Sequence, residues 1–315
     1  MRLLVANTDA DWARALSQEP GLDEANFWRP SGRAGFAALS FGEPLVFKLK
    51  KADRHAVIGF GLFAAFRRLP VAEAWAAFGR GNGAATWDEM WARVSRYAFK
   101  RVVPYDARHA VGCILLASPV FFPREMWVAG PADWADQTVA NKRYDTTVGE
   151  GRRIWRDCLE RAALVAPALV IDPAARGTVA EPAPRYGAET VVRPRLGQGT
   201  FRYAVEAAYG QCAVTGEHSR PALDAAHIIP FASDGPHEVS NGILLRADVH
   251  RLFDAGYVTV TPEYRFRVGD SLREDFSNGR SYYPLDGKRI VVPADPRFQP
   301  DRARLERHGA ETFRG

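Results

Sequence analysis

The stretch Leu223–Asp254, LDAAHIIPFASDGPHEVSNGILLRADVHRLFD, concentrates the reactive side chains of this 315-residue chain. It holds three of the seven histidines, together with one asparagine and four aspartates. An apolar run ends at His227, a polar loop containing Asn241 follows, and His250 falls in a segment with helical spacing of its apolar residues. This order predicts a strand, a loop and a helix that together present polar groups.

The spacing H-x13-N-x8-H suits hydrolysis of a phosphodiester. A neutral histidine near a phosphate can take a proton from water, and a divalent metal ion can stabilise charge on the leaving 3′ oxygen. His250 suits the metal, because a helix holds its side chain rigidly. The amide of Asn241 suits neither acid–base work nor strong metal binding, but it can hold the strand backbone and fix the ring of His227. We therefore predict His227, Asn241 and His250 as the catalytic residues.

The sequence segments AAHIIP, NGILL and HRLFD resemble those of the HNH endonuclease family, in particular the branch found in restriction enzymes. The similarity extends over residues 195–315. It implies a ββα-metal nuclease domain that hydrolyses double-stranded DNA with one divalent ion of the Mg²⁺ or Mn²⁺ class.

The sequence departs from that family in two ways. Many members carry a metal ligand directly before the first histidine, where this chain has Ala226. Asp224, two residues back on the same strand face, and Asp254, one helical turn beyond His250, are the two alternative carboxylate ligands. Cys212 has no partner thiol nearby, which excludes a tetrathiolate zinc site.

Other polar residues near the motif are assigned by composition. Arg246 and Arg251 are candidate phosphate-binding residues, since nucleic-acid affinity rests largely on phosphate neutralisation. His237, in the loop, is predicted to be solvated, and His308 is predicted to lie on the surface of the last helix.

The pattern of the whole chain predicts an α+β protein with two domains. Two β-rich runs, 45–51 and 55–66, predict a hairpin, and 87–99 predicts a helix with Thr86 as its N-cap. CAVTG (212–216) and DAAHIIP (224–230) are interpreted as two short strands before the His250 helix. The predicted domains are residues 1–164 and 195–315, joined by a Pro/Ala-rich linker at residues 165–194.

The segment 26–66 is similar to the EVE branch of the PUA superfamily, through a Trp after an early strand and a GE-containing turn before a strand pair. This similarity implies an N-terminal β-barrel with helices. Related domains bind a flipped modified base in an aromatic pocket, where stacking offsets the few kcal/mol that flipping costs. The pocket candidates that follow from the resemblance are Asn26, Trp28, Tyr144 and Asp145.

These features predict a type IV-like restriction endonuclease that cleaves DNA containing 5-methylcytosine or 5-hydroxymethylcytosine. The alternatives are an HNH nuclease that reads unmodified sequence, of homing or phage type, and a non-catalytic nucleic-acid-binding protein on a degenerate scaffold. The net charge of +5 permits a polyanionic partner. Three cysteines without a CxxC pair and the lack of a membrane-length apolar run predict a cytoplasmic protein with no membrane partner. A homodimer is left open.

Overall fold

The computed structural model describes residues 1–32, 35–135, 141–171, 191–192, 196–230 and 235–315. These residues form two compact units, Met1–Thr200 and Phe201–Gly315. Both contain helices and strands, as the predicted α+β class requires. Most of the predicted linker, residues 165–194, lies outside the described residues. No described helix has the length and apolar character needed to cross a membrane.

The first unit is built around one mixed sheet. Its strands are β1 (Arg2–Asn7), β2 (Glu24–Arg29), β3 (Pro44–Lys48), β4 (Val57–Pro70), β5 (Ala110–Phe121), β6 (Asn141–Asp145), β7 (Val170–Ile171) and β8 (Val191–Val192). Its helices are α1 (Ala10–Ser17), α2 (Val71–Phe78), α3 (Trp87–Phe99) and α4 (Gly149–Val165). Strands β1 to β6 form the sheet in the order β2-β5-β4-β3-β1-β6, while β7 pairs with β8.

Strand β1 shows why this sheet is covered on both faces. Leu3 and Val5 belong to one apolar cluster, whereas Leu4 and Ala6 belong to another. Alternate residues of a strand point to opposite faces, so the sheet has a core on each side. The predicted hairpin is confirmed as the antiparallel pair β3–β4, and β1 runs parallel to β3. The described hydrogen bonds leave β2 and β6 as edge strands, so the β-barrel is not confirmed.

Helix α3 begins as its sequence predicts. The Thr86 hydroxyl accepts the N–H of Glu89 at 3.2 Å, and the Glu89 carboxylate accepts the N–H of Ala85 at 2.7 Å. The helix ends at Phe99, where Lys100 adopts a left-handed conformation with φ of 64° and its N–H bonds the Arg96 carbonyl.

The second unit combines short strands with helices. Its strands are β9 (Leu223–His227), β10 (Gly242–Arg246), β11 (Val258–Val260) and β12 (Phe266–Val268). Its helices are α6 (Ala247–Asp254), α7 (Ser271–Phe276) and α8 (Arg302–Glu311), and α5 (Gln198–Tyr209) leads into it. Strands β9 and β10 are antiparallel, and α6 follows β10 directly.

The predicted strand at 212–216 is wrong, because that segment is a turn. The N–H of Gly216 bonds the Cys212 carbonyl, and Gly216 has a φ of 74° that favours glycine. The buried Cys212 thiol also accepts the N–H groups of Thr215 and Arg246, at 3.4 and 3.2 Å. These bonds hold residues 212–216 as a turn, and β9 pairs with β10.

Candidate active site

The candidate active site is formed by the end of β9, the loop before β10 and helix α6. His227 is the last residue of β9 and lies opposite Gly242, the first residue of β10. A Cβ at Gly242 would lie 2.5 Å from Val205 Cγ2 and 2.9 Å from Phe201 Cζ, which is closer than non-bonded carbon atoms approach one another. Glycine at this position therefore allows helix α5 to pack closely beside His227.

The ring of His227 stacks on Phe201, with centroids 4.0 Å apart and planes 12° from parallel. Its Nε2 atom is buried and has no hydrogen-bond partner among the described residues. Burial, with smaller contributions from His237 and His250, lowers the pKa of His227 to about 4. The imidazole is therefore neutral near pH 7 and has a nitrogen that is not committed to the fold.

Asn241 is fully buried and fixes the chain that follows His227. Its side chain accepts the N–H of Ile229 at 3.0 Å and donates to the carbonyls of Ile229 and Pro236 at 2.9 and 3.0 Å. Its own carbonyl accepts the N–H of Ile228 at 2.8 Å. These contacts are the backbone clamp that the amide chemistry predicts, and they act on the residues next to His227.

His250 lies between two carboxylates. Its Nδ1 is 3.5 Å from Asp224 Oδ2, and its Nε2 is 3.2 Å from Asp254 Oδ2. Burial, and the negative charge of Asp224, raise the pKa of Asp254, while His250 acts in the opposite direction. The structure thus brings together His250, Asp224 and Asp254, the three residues that the sequence nominates as metal ligands. Ala226 is buried.

These three side chains fit a divalent cation by the chemistry of their donors, since carboxylate oxygens suit ions of the Mg²⁺ and Mn²⁺ class and an imidazole nitrogen is a ligand for transition-metal ions. Two carboxylates that face one imidazole also repel one another, and a cation relieves that repulsion. In their present arrangement, no described group of three or more His, Cys, Asp or Glu side chains is spaced to hold a metal ion. The carboxylates would have to turn from the ring of His250 toward the ion.

His237 is a neighbour of the site that the sequence does not reveal. Its ring centroid lies 5.2 Å from that of His227 and 5.9 Å from that of Phe201, and the residue is half-buried, so the predicted solvated position is wrong. The clamp explains the placement, because Asn241 binds the carbonyl of Pro236, the preceding residue. A buried asparagine that anchors a loop was the available signal.

The two candidate phosphate-binding arginines differ in their surroundings. Arg246 forms a bidentate ion pair with Asp248 at 2.6 and 2.7 Å. The Tyr282 hydroxyl also donates to Asp248, at 2.9 Å, and these bonds lower the pKa of Asp248 to about 2, against the effect of burial. The guanidinium of Arg246 is therefore engaged in the fold, whereas Arg251 is exposed on α6.

His308 is buried, not at the surface as predicted. Its ring stacks on Phe253 of α6, with centroids 3.8 Å apart. Its Nε2 faces the Phe253 carbonyl at 3.3 Å and therefore donates to it, so Nδ1 accepts the hydroxyl of Thr259 at 2.8 Å. These contacts join α8 to α6, the helix that carries His250, because the ring of His308 packs against the last turn of α6.

The four candidate base-pocket residues do not come together. Asn26 and Trp28 lie on β2, whereas Tyr144 and Asp145 lie on β6, at the opposite edge of the sheet. Tyr144 packs with the apolar cluster of Leu3, and its hydroxyl bonds Asp133 at 2.7 Å. The predicted single pocket is corrected by this strand order, which leaves Asn26 and Trp28 as neighbours.

Asn26 and Trp28 share a buried partner, Asn82. The Trp28 indole N–H donates to the Asn82 carbonyl at 3.0 Å, and the Asn26 amide donates to the Asn82 side-chain oxygen at 2.9 Å. Asn26 Oδ1 is buried and has no partner among the described residues. The Trp28 ring is half-buried and meets Tyr97 edge-on, with centroids 6.0 Å apart.

Comparison with known proteins gives a family match over the segment that contains His227, Asn241 and His250. Residues 212–261 match the family described as HNH endonuclease. No curated protein matches the chain. The crystal structure of ASCH from Zymomonas mobilis is 13% identical, with a TM-score of 0.32 over 49% of this chain and 94% of that one. The modification-dependent TagI restriction endonuclease is 13% identical, with a TM-score of 0.26 over 99% of this chain and 81% of that one. The match at residues 212–261 means that the chain contains an HNH endonuclease domain, that of a DNA-cleaving enzyme.

Proposed function

We propose that this protein is a modification-dependent, type IV-like restriction endonuclease. The observation that carries the cleavage step is the neutral ring of His227. Asn241 holds the backbone next to this ring. His250, with its two neighbouring carboxylates, lies nearby. The first unit supplies the choice of DNA, and the second supplies hydrolysis.

In the proposed reaction His227 accepts a proton from the water that attacks the phosphorus atom. Its low pKa keeps the ring in the proton-accepting form at neutral pH. Asn241 fixes the ring's position through the Ile229 backbone. His250 would hold a divalent ion of the Mg²⁺ or Mn²⁺ class together with Asp224, Asp254 or both. When bound, that ion stabilises negative charge on the leaving 3′ oxygen.

The proposed reading of the modified base rests on Trp28 and Asn26. A flipped base is held by stacking on an aromatic ring and by hydrogen bonds to its polar edge. Trp28 offers a half-exposed ring, and Asn26 offers a buried acceptor oxygen without a partner among the described residues. This pair is consistent with recognition of a cytosine derivative, whose exocyclic amine is a donor.

One observation favours a second candidate. Because Tyr144 and Asp145 lie at the far edge of the sheet, the pocket keeps only half of the side chains that the resemblance nominates. An HNH nuclease that reads unmodified sequence needs no such pocket. It is the alternative that the following experiment distinguishes.

The experiment compares cleavage of plasmids that carry cytosine, 5-methylcytosine or 5-hydroxymethylcytosine, with Mg²⁺, Mn²⁺ or chelator. We expect cutting of a modified plasmid only, and only with metal. Equal cutting of all three plasmids would replace the proposal with the sequence-reading nuclease. Absence of metal-dependent cutting would indicate a non-catalytic scaffold.

Binding in chelator tests the reader separately. The full chain should bind modified duplex more tightly than unmodified duplex at fixed salt, and Trp28→Ala should reduce that preference by about 1–3 kcal/mol if the ring stacks on a base. Trp127→Ala is the matched control, since Trp127 is also half-buried and also donates its indole N–H to a backbone carbonyl, that of Phe122. Unchanged preference in the Trp28 variant would exclude this residue from the pocket.

A further inference from the structure

The last turn of α3 and the segment that follows it form an unusual surface. We call it the α3-end surface and define it as residues 96–109. Large hydrophobic side chains are exposed there at four positions within nine residues: Tyr97 (42%), Phe99 (42%), Val102 (53%) and Tyr105 (41%). Single exposed apolar residues need no explanation, but clustered ones mark interaction sites.

Three aromatic rings of this surface, those of Phe99, Tyr105 and His109, are joined by two rings from earlier in α3. Tyr105 lies edge-on to Trp87 and Trp91, with centroids 5.0 and 5.2 Å away. Trp91 in turn meets His109 at 5.8 Å, and His109 meets Phe99 at 5.1 Å. The result is a continuous patch of five rings, in which the buried ring of Trp91 lies at the centre and joins the other four.

The backbone beneath the patch is held in place. The Trp91 indole N–H donates to the Val103 carbonyl at 2.7 Å, which ties the segment back to α3. The N–H of His109 bonds the carbonyl of Asp106, and the ring of His109 lies 3.0 Å from the Pro30 carbonyl. The rings are thus presented on an ordered segment, which lowers the entropic cost of binding a partner.

The charge of the surface selects the partner. Residues 96–108 contain four cations and a single carboxylate, Asp106. The cations are Arg96, Lys100, Arg101 and Arg108, and all four residues are exposed.

We propose that the α3-end surface docks on the backbone of duplex DNA. Its cations would neutralise phosphates, and its ring patch would pack against the sugars between them. Tyr97 of this surface contacts Trp28, so the surface adjoins the proposed reader residue. The inference requires only that the chain acts on DNA, and it holds whether or not Trp28 reads a modified base.

The test measures binding of an unmodified 30-base-pair duplex by the full chain in chelator, over a range of salt concentrations. The variant Lys100→Asn/Arg101→Ala removes two charges, with asparagine chosen because Lys100 has a left-handed backbone that asparagine tolerates. We expect about tenfold weaker binding near ~0.1 M salt. We also expect the slope of log affinity against log salt to fall by about 1–2, since each lost phosphate contact removes about 0.9.

A closely matched control lies in the turn between β3 and β4. Lys50→Ala/Arg54→Asn also removes two exposed cations, and Arg54 is likewise left-handed with a φ of 55°. This control should bind DNA within twofold of wild type, with an unchanged salt slope.

A third variant separates the rings from the charges. Tyr105→Ser should weaken binding by the same factor at every salt concentration, since it removes an apolar contact and no charge. Thermal unfolding of each variant excludes misfolding as the cause.

The proposal is overturned if the Lys100/Arg101 variant and its control bind DNA alike at all salt concentrations. It is also overturned if that variant loses affinity for an acidic polypeptide such as polyglutamate while its DNA binding is intact, which would assign the surface to a protein partner. Because the assay measures binding without metal, a failure of cleavage or of base discrimination would leave its result readable.

Discussion

Two histidines of the second unit stack on phenylalanine rings but differ in how their ring nitrogens are bonded. His227 stacks on Phe201 and His308 stacks on Phe253, and burial lowers the pKa of each to about 4. Both nitrogens of His308 are engaged, with Thr259 and with the Phe253 carbonyl. Nε2 of His227 has no partner among the described residues.

We infer from this difference that His308 has a structural role and that His227 is available for catalysis. A buried polar atom without a partner reduces stability by about 1–3 kcal/mol, so a fold retains one only where something else requires it. Satisfied bonds at His308 stabilise the packing of α8 on α6. The uncommitted nitrogen at His227 is the property that a general base needs.

The largest effect is expected at His250. This residue lies on α6, the helix that packs against His308. His250→Ala should weaken Mn²⁺ binding and reduce the cleavage rate. We expect a reduction of more than about 10–100-fold, which is the range typical for loss of a residue that hydrogen-bonds a metal ligand. Titration of Mn²⁺ against cleavage rate measures both quantities. His218→Ala, a change at an exposed loop histidine, is the control.

Variants of Asp224 and Asp254 test the same proposed metal site. At least one of Asp224→Asn and Asp254→Asn should reproduce the loss of metal affinity. Unchanged metal affinity in His250→Ala and in both aspartate variants would place the ion elsewhere.

The next effect concerns His308 alone. His308→Phe keeps the stacking on Phe253 but leaves the buried Thr259 hydroxyl without its partner, so we expect a loss of about 1–3 kcal/mol in the free energy of unfolding. Urea unfolding measures it. His218→Phe should change that free energy by less than about 0.5 kcal/mol. A His308 variant as stable as wild type would mean that its bonds do not hold α8.

The dependence of stability on pH follows from the two low pKa values. The unfolded chain binds protons at its histidines near pH 6.5, whereas folded His227 and His308 bind them only near pH 4. Stability is therefore fully present above about pH 6.5 and is lost as the pH falls toward 4. Between pH 7.5 and 5, wild type should lose about 2 kcal/mol more than His308→Phe. Parallel curves for the two proteins would contradict the low pKa of His308.

The smallest effect distinguishes the two arginines. Arg251→Ala should reduce DNA affinity a few-fold and lower the salt slope by about 1, as expected for one phosphate contact. Arg246→Ala should leave the slope unchanged and reduce stability instead, because it breaks the bidentate pair with Asp248. The reverse assignment would show that Arg246 leaves Asp248 when DNA binds.

Local patterns in the sequence predict the strand, loop and helix around His227, Asn241 and His250, since each depends on neighbours close in the chain. The turn at Cys212 could not be predicted, because the thiol bonds the N–H of Arg246, far along the sequence. His237 and His308 were misplaced for a similar reason. The burial of His237 depends on the contacts of Asn241, and the burial of His308 depends on the packing of α8 against α6, whose residues lie far apart in the sequence.

Strand order explains the largest error in the first unit. The hairpin of β3 and β4 is local and was predicted, but β2 pairs with β5 across a long separation in sequence. Asn26 and Trp28 therefore lie at one edge and Tyr144 at the other, which no periodicity indicates.

We propose that His227 acts in the cleavage reaction and that His308 stabilises the fold. The direct measurement is single-turnover cleavage and urea unfolding of His227→Gln and His308→Gln side by side, at a temperature where both are folded. We predict that His227→Gln loses about 10²–10⁴-fold in cleavage rate with little loss of stability, while His308→Gln loses stability and keeps its rate within a few-fold. Cleavage by the His227 variant at near the wild-type rate would contradict the claim.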